Sequence, residues 1–155
     1  MYALGDISVV IPTYNRSEDL EKTLKVLIPF ARVLCQIIVV DQSKDDETKK
    51  MVQNVHKKNK NILYVFSKTP SITIARNLGV WNLSKKCRLV CFIDDDVSVE
   101  KSYFEEILRV FNECSEAKAV AGYVPSPELG RMPFMERMLR KIFFLSYGEK
   151  NRARI

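Results

Sequence analysis

Short apolar runs that end abruptly in polar residues constrain this chain more than any other feature. Ile7–Ile11 is stopped by Pro12, Gln36–Val40 runs into Asp41, and Leu89–Ile93 runs straight into Asp94, Asp95 and Asp96. Ile62–Phe66 is a further run of the same kind. Apolar runs of this length, without alternation, read as strands buried on both faces. Between them the period changes to that of a helix, at Leu20, Leu24, Leu27 and Ile28, at Met51, Val52 and Val55, at Ile74, Leu78 and Trp81, and at Phe104, Ile107, Leu108 and Phe111. Ser17, Glu18 and Asp19 supply a cap and negative charge for the first helix, Ser71 caps the third, and Ser102 opens the fourth. Trp81 shares a face with Leu78 and Ile74 and reads as core. Ala119–Tyr123 reads as a fifth strand. Strand–helix alternation of this kind predicts an α/β, Rossmann-like fold, a mostly parallel sheet with helices on both faces. Ligands of such sheets bind beyond the carboxyl ends of the strands.

The 155 residues suit one domain with a real core, and no apolar run approaches the ~20 residues of a membrane span. The opening MYALGDISVV lacks the basic and long apolar regions of a signal peptide. Four scattered cysteines and one histidine give no zinc spacing, so reduced thiols and a cytoplasmic setting are expected. The net charge is +6, but residues 131–155 hold seven basic and two acidic side chains, and the body is near neutral. Nucleic acid is therefore not an expected partner. Two parts are expected, a ligand-binding domain over 1–130 and a basic amphipathic segment over 131–155.

The residues at the strand ends carry the chemistry. Three acids directly after an apolar strand repel one another, and a hard divalent cation such as Mg²⁺ or Mn²⁺ is the simplest remedy. On extended backbone Asp94 and Asp96 face one side and Asp95 the other. No GxGxxG follows the first strand and no GxxxxGK[ST] occurs, which disfavours a dinucleotide fold and a P-loop. A diphosphate ligand held through its metal ion fits better.

Four motifs in order, Ser8–Arg16 (SVVIPTYNR), Val39–Ser43 (VVDQS) with Asp46, Ala75–Gly79 (ARNLG) and Phe92–Val97 (FIDDDV), resemble the family 2 glycosyltransferases of the GT-A fold. The resemblance covers about residues 6–124. It implies a nucleotide-diphosphate sugar donor, of the UDP type, and a divalent metal. It sets Pro12, Thr13 and Tyr14 along the nucleoside, Asp41 at the base, and Arg76 and Asn77 beside the nucleotide. Asp94 would lie near the ribose, Asp95 among the donor-binding residues, and Asp96 on the metal. Gln42 departs from the family, which more often has a second acid there; an amide both donates and accepts at a base edge.

The resemblance implies inverting transfer to a carbohydrate or lipid-linked acceptor, as in cell-envelope polysaccharide synthesis. It accounts for the donor-binding half. The acids beyond Gly122, Glu128, Glu136 and Glu149, match no family position for a base, so no catalytic base is assigned. The chain reads as a piece without its acceptor half, or else as a donor-binding module without efficient transfer. Met135, Met138, Leu139, Ile142 and Phe143 fall at helical spacing, with Arg137, Arg140 and Lys141 on other faces. A helix over 134–145 could pack on an acceptor half or lie on the inner face of a membrane. A phospho-acceptor receiver domain, the rival five-stranded reading, needs paired acids after the first strand, where this chain has Thr13 and Tyr14.

Overall fold

The computed structural model describes residues 1–122. The chain divides into two units, Met1–Ala121 and Gly122–Ile155, and the fold is that of the first. The expected boundary at residue 130, the helix over 134–145 and the basic tail lie outside the described residues.

Strands β1 (Ile7–Thr13), β2 (Gln36–Asp41), β3 (Ile62–Phe66) and β4 (Leu89–Phe92) alternate with helices α1 (Ser17–Leu27), α2 (Glu47–Lys58), α3 (Ile72–Trp81) and α4 (Tyr103–Glu113). All pairings are parallel, in the order β3-β2-β1-β4. β1 and β2 are buried along their whole length, as two central strands with continuous apolar runs should be.

The two faces are built differently. On one, Val9 and Ile11 of β1 and Ile37 and Val39 of β2 meet Leu20 and Leu24 of α1, Val52 of α2 and Phe104 and Leu108 of α4. The Phe104 ring stands edge-on to Phe30 and Tyr103. On the other face Val10, Ile38 and Val40 are covered by Ala75 of α3, with Leu78 half-buried beside them. α3 comes so close that a Cβ on Gly79 would collide with a methyl of Val10. Glycine is needed there for clearance, not for an unusual backbone angle.

Several expectations change. Trp81 is 79% exposed, and Ile74 is exposed as well. The face of α3 that meets the sheet is the one bearing Ala75 and Gly79, because small residues permit the closest approach. β4 is apolar throughout, yet only Leu89 and Cys91 pack into the larger core, and Val90 and Phe92 are exposed. α3 lies chiefly over β1 and β2, and toward β4 it extends the Arg76 guanidinium, which stands over the Phe92 ring. Ser17 is the first residue of α1, not its cap; Arg16 holds the cap position, and the Ser17 hydroxyl donates to Glu47 Oε2 at 3.2 Å. Ser71 does cap α3, accepting the Ile74 N–H. Ala119–Gly122 form no strand, and Tyr123 lies outside the described residues.

Candidate functional site

The strand order places a switch point between β1 and β4. The chain leaves β1 toward β2 and β3 on one side and returns to β4 on the other. The two carboxyl-terminal loops at that point diverge and leave a crevice. A cavity of about 520 Å³ opens there, lined by Pro12 to Tyr14 and Arg16 after β1, Gln42 after β2, Pro70 to Ile72 ahead of α3, and Asp94 to Asp96 after β4.

The loop after β1 turns sharply at Asn15, whose φ of 53° lies in the left-handed region. Asparagine tolerates that conformation better than most residues and can bond to nearby backbone. Here it does both: its N–H donates to Ser43 Oγ at 2.8 Å, and its Oδ1 accepts the Lys44 N–H at 3.1 Å. The Gln42 N–H donates to the Thr13 carbonyl at 3.0 Å. The ends of β1 and β2 are thus laced together beneath the cavity.

The aspartates differ in exposure, but not through strand alternation, since β4 ends at Phe92 and Asp95 and Asp96 stand in a turn. The Asp95 side chain is 7% exposed, against 55% for Asp94 and 50% for Asp96. Asp95 Oδ2 accepts the Thr13 hydroxyl at 2.7 Å, and Oδ1 accepts Arg16 Nη1 at 3.1 Å. From α1, the Thr23 hydroxyl lies 2.8 Å from the Asp95 carbonyl and 3.0 Å from that of Val97, pinning the backbone of the triplet.

The repulsion within the triplet is relieved by arginines. Arg16 Nη1 also donates to Asp96 Oδ2 at 3.0 Å, and Arg76 Nη2 donates to Asp94 Oδ1 at 3.0 Å. The Arg16 guanidinium is held charged more firmly than usual, first by its hydrogen bond to Asp96 and then by the two carboxylate charges. A divalent cation is therefore not required for the triplet to be tolerated. Among the described residues no three His, Cys, Asp or Glu side chains gather as a ready-made metal centre. Asp96, half exposed on the cavity wall, still fits a hard cation whose other ligands are diphosphate oxygens and water. Magnesium-type ions are commonly bound in that way, through one or two carboxylates and substrate phosphates.

The other candidates are placed unequally. Pro12, Thr13, Tyr14, Asp94, Asp95 and Asp96 line this same cavity. Arg76 reaches it through Asp94, while its Nε is buried without a partner. Asp41 is fully buried and does not line the cavity; its oxygens accept the Tyr64 hydroxyl and the Ser43 N–H, both at 2.9 Å. Burial, followed by the bond to Asp41, pushes the Tyr64 hydroxyl well above its ordinary pKa. Asn77 is exposed on α3 and also lies off the cavity lining. Sequence reasoning missed Arg16, Asn15, Ser43 and Thr23. The first three lie within the quoted motifs, so the signal was present, whereas Thr23 looks like any polar residue in a helix.

An α/β protein with a laced, acidic crevice at the switch point of its sheet is thus defined. Comparison with known proteins sharpens this. The sequence model described as Glycosyl transferase family 2 matches residues 8–154, and the chain belongs to that family. It is 28% identical over 117 residues to Glycosyltransferase GlyA of Streptococcus pneumoniae serotype 4, covering 76% of this chain and 16% of that protein. It is 30% identical over 109 residues to the GalNAc(5)-diNAcBac-PP-undecaprenol beta-1,3-glucosyltransferase of Campylobacter jejuni, covering 69% of this chain and 35% of that one. The putative teichuronic acid biosynthesis glycosyltransferase TuaG of Bacillus subtilis is 28% identical over 118 residues, 76% of this chain and 46% of its own. The chain thus spans less than half the length of each. In structure it is similar to S. aureus TarS 1-349, with a TM-score of 0.61 and 21% identity over 82% of this chain and 40% of that one. The same TarS fragment in complex with UDP gives a TM-score of 0.54. The fold is GT-A. Among the described residues no helix is long and apolar enough to cross a membrane.

Proposed function

We propose that this domain binds a nucleotide-diphosphate sugar, of the UDP type, in the crevice between β1 and β4, and forms the donor-binding part of a glycosyltransferase. The observation that carries this reading is the pair of exposed carboxylates, Asp94 and Asp96, on the wall of a cavity floored by Pro12, Thr13 and Tyr14. The UDP complex of TarS and the lipid-linked acceptor in the name of the Campylobacter relative support the donor and acceptor classes.

In this reading Pro12, Thr13 and Tyr14 flank the nucleoside, Asp41 backs the base through the floor, and Arg76 and Asn77 border the nucleotide. Asp94 faces the ribose and Asp96 a Mg²⁺ or Mn²⁺ ion. Asp95 serves from beneath, holding Thr13 and Arg16. A cation bound at Asp96 would supply neutralisation of the leaving diphosphate. Transfer then joins an acceptor hydroxyl oxygen to the anomeric carbon. The bond to the diphosphate breaks with its electron pair, and the hydroxyl proton passes to a base.

Calorimetry with UDP and Mn²⁺ tests the donor site. A heat that EDTA abolishes, and that Asp96→Asn reduces sharply while the fold stays intact, is expected. UDP binding that chelation leaves unchanged would remove the metal from the reading, and no UDP binding at all would remove the donor. A nucleotide-release assay separates transfer from a donor-binding module, since only transfer makes release depend on an added carbohydrate or lipid-linked acceptor. Flotation with anionic vesicles, compared with and without residues 134–155, tests the membrane contact of the tail.

A further inference from the structure

Gln42 stands at the position where the family resemblance leads one to expect a second acid. Its surroundings suit an amide and exclude a carboxylate. The side chain is buried, and its Nε2 donates to the Thr69 carbonyl at 2.5 Å and the Ser71 carbonyl at 3.1 Å, with Ser67 Oγ at 3.5 Å. Three oxygens around one nitrogen require a donor. An ionised acid there would face those oxygens with nothing to give, at the cost of an unsatisfied buried charge.

What this amide holds is a wall of the cavity. Residues 67–71 join β3 to α3 and contain no regular structure. The Ser67 N–H bonds to the Asp41 carbonyl at 2.8 Å, fixing the start of the segment, and the Ser67 hydroxyl turns inward toward Thr69. At the other end Ser71 caps α3, the helix whose Arg76 holds Asp94. Between these points, among the described contacts, the middle of the segment is bound to the sheet through Gln42. Pro70, Ser71 and Ile72 line the same cavity as the aspartates.

We infer that Gln42 is a positioning residue, whose amide clamps the 67–71 segment so that this wall and the start of α3 stand in register with the aspartates. Its own amide hydrogens are then committed to the protein, not to a nucleobase. The inference rests on the donor-binding reading only for its effect on nucleotide affinity; the clamp itself is a property of the protein alone.

The test uses Gln42→Glu and the uncharged, similarly sized Gln42→Met. Hydrogen exchange without nucleotide reads the clamp through the bonded amides at its two ends, Ser67 on the Asp41 carbonyl and Ile74 and Ala75 on the Ser71 hydroxyl and carbonyl: these should exchange at least about tenfold faster in both variants, the scale set by losing a buried hydrogen bond. With UDP and Mn²⁺ at pH 8, both variants should bind about tenfold or more weakly than wild type. Gln42→Glu should also regain affinity relative to wild type as the pH is lowered to 6. Burial raises a carboxyl pKa, and the protonated acid can donate one of the lost bonds. The groups nearest that side chain, Ser67, Thr69 and Ser71, do not titrate in this range, and Asp41 is present in both proteins. Gln42→Met should show no such recovery. Unchanged exchange at Ser67, Ile74 and Ala75 in both variants would overturn the clamp. Equal losses for Gln42→Glu at both pH values, or binding within twofold of wild type, would overturn its link to the nucleotide. If wild type itself fails to bind UDP, the donor reading falls, while the exchange result still decides the clamp.

Discussion

The two faces of the sheet solve different problems. The face under α1, α2 and α4 is a thick aliphatic and aromatic core centred on Leu20, Leu24 and Phe104. The face under α3 is a thin contact in which Ala75 and Gly79 press onto Val10, with Val90, Phe92 and Trp81 left exposed nearby. The thick face holds the strands in place. The thin face sets how near α3, and with it Arg76 and the 67–71 wall, stands to the crevice. Stability resides chiefly in the first and site geometry in the second.

The sharpest way to break this contrast is to remove Phe104, which is fully buried. Phe104→Ala should cost about 3–5 kcal/mol by denaturant unfolding. A loss below about 1 kcal/mol would mean that the thick face is not the stabilising one. On the thin face, Gly79→Ala should cost about 1–3 kcal/mol through overpacking against Val10. It should also weaken UDP binding, and the double variant Gly79→Ala with Val10→Ala should recover much of the stability. Additive losses would show that the close approach is not the cause.

A third comparison uses pH. Burial raises the Cys91 thiol from 9.0 to about 11, and burial followed by the Cys91 neighbour raises the Tyr103 hydroxyl from 10.0 to about 12. A raised folded-state pKa contributes stability that is complete below the unfolded value and is lost as the pH climbs through the folded one. The melting temperature should therefore hold to about pH 9 and fall by several degrees between roughly pH 9 and 12. Cys91→Ala should flatten the first part of that fall, and an unchanged profile would deny the thiol its role in the thick core.

The smallest expected effect concerns Arg16, which spans Asp95 and Asp96. If it competes with a cation for Asp96, Arg16→Gln should tighten binding of Mn²⁺ alone by about two- to fivefold, the range of an exposed ion pair. Weaker Mn²⁺ binding in a folded variant would show that Arg16 supports the cation site and does not compete for it.

Much of the fold was legible because its strands are continuous apolar runs and its helices keep a 3.6-residue period. Both signals follow from burial alone. The aspartates were legible as strand-end residues, but alternation was the wrong reason for their unequal exposure: they lie past the end of β4, Asp95 and Asp96 in a turn, and Thr13, Thr23 and Arg16 hold Asp95. Trp81 was misread because periodicity shows that a helix has an apolar face but not which face meets the sheet. The close approach at Gly79 settled that. Ala119–Gly122 carry residues suited to a strand, but a strand exists only where another strand pairs with it.

By itself, the sequence determined the order of elements, the parallel sheet, the strand ends that bear polar residues, and the family motifs. The tertiary structure decided what each charge sees. Arg16 and Arg76 come from distant parts of the chain to neutralise the triplet, Asp41 is sealed beneath the crevice by Tyr64, and the Gln42 amide is turned onto the loop before α3. The physical reason is range. Burial and alternation act between neighbours in sequence and leave a pattern there, whereas an ion pair or a buried hydrogen bond joins atoms whose proximity exists only once the sheet has closed.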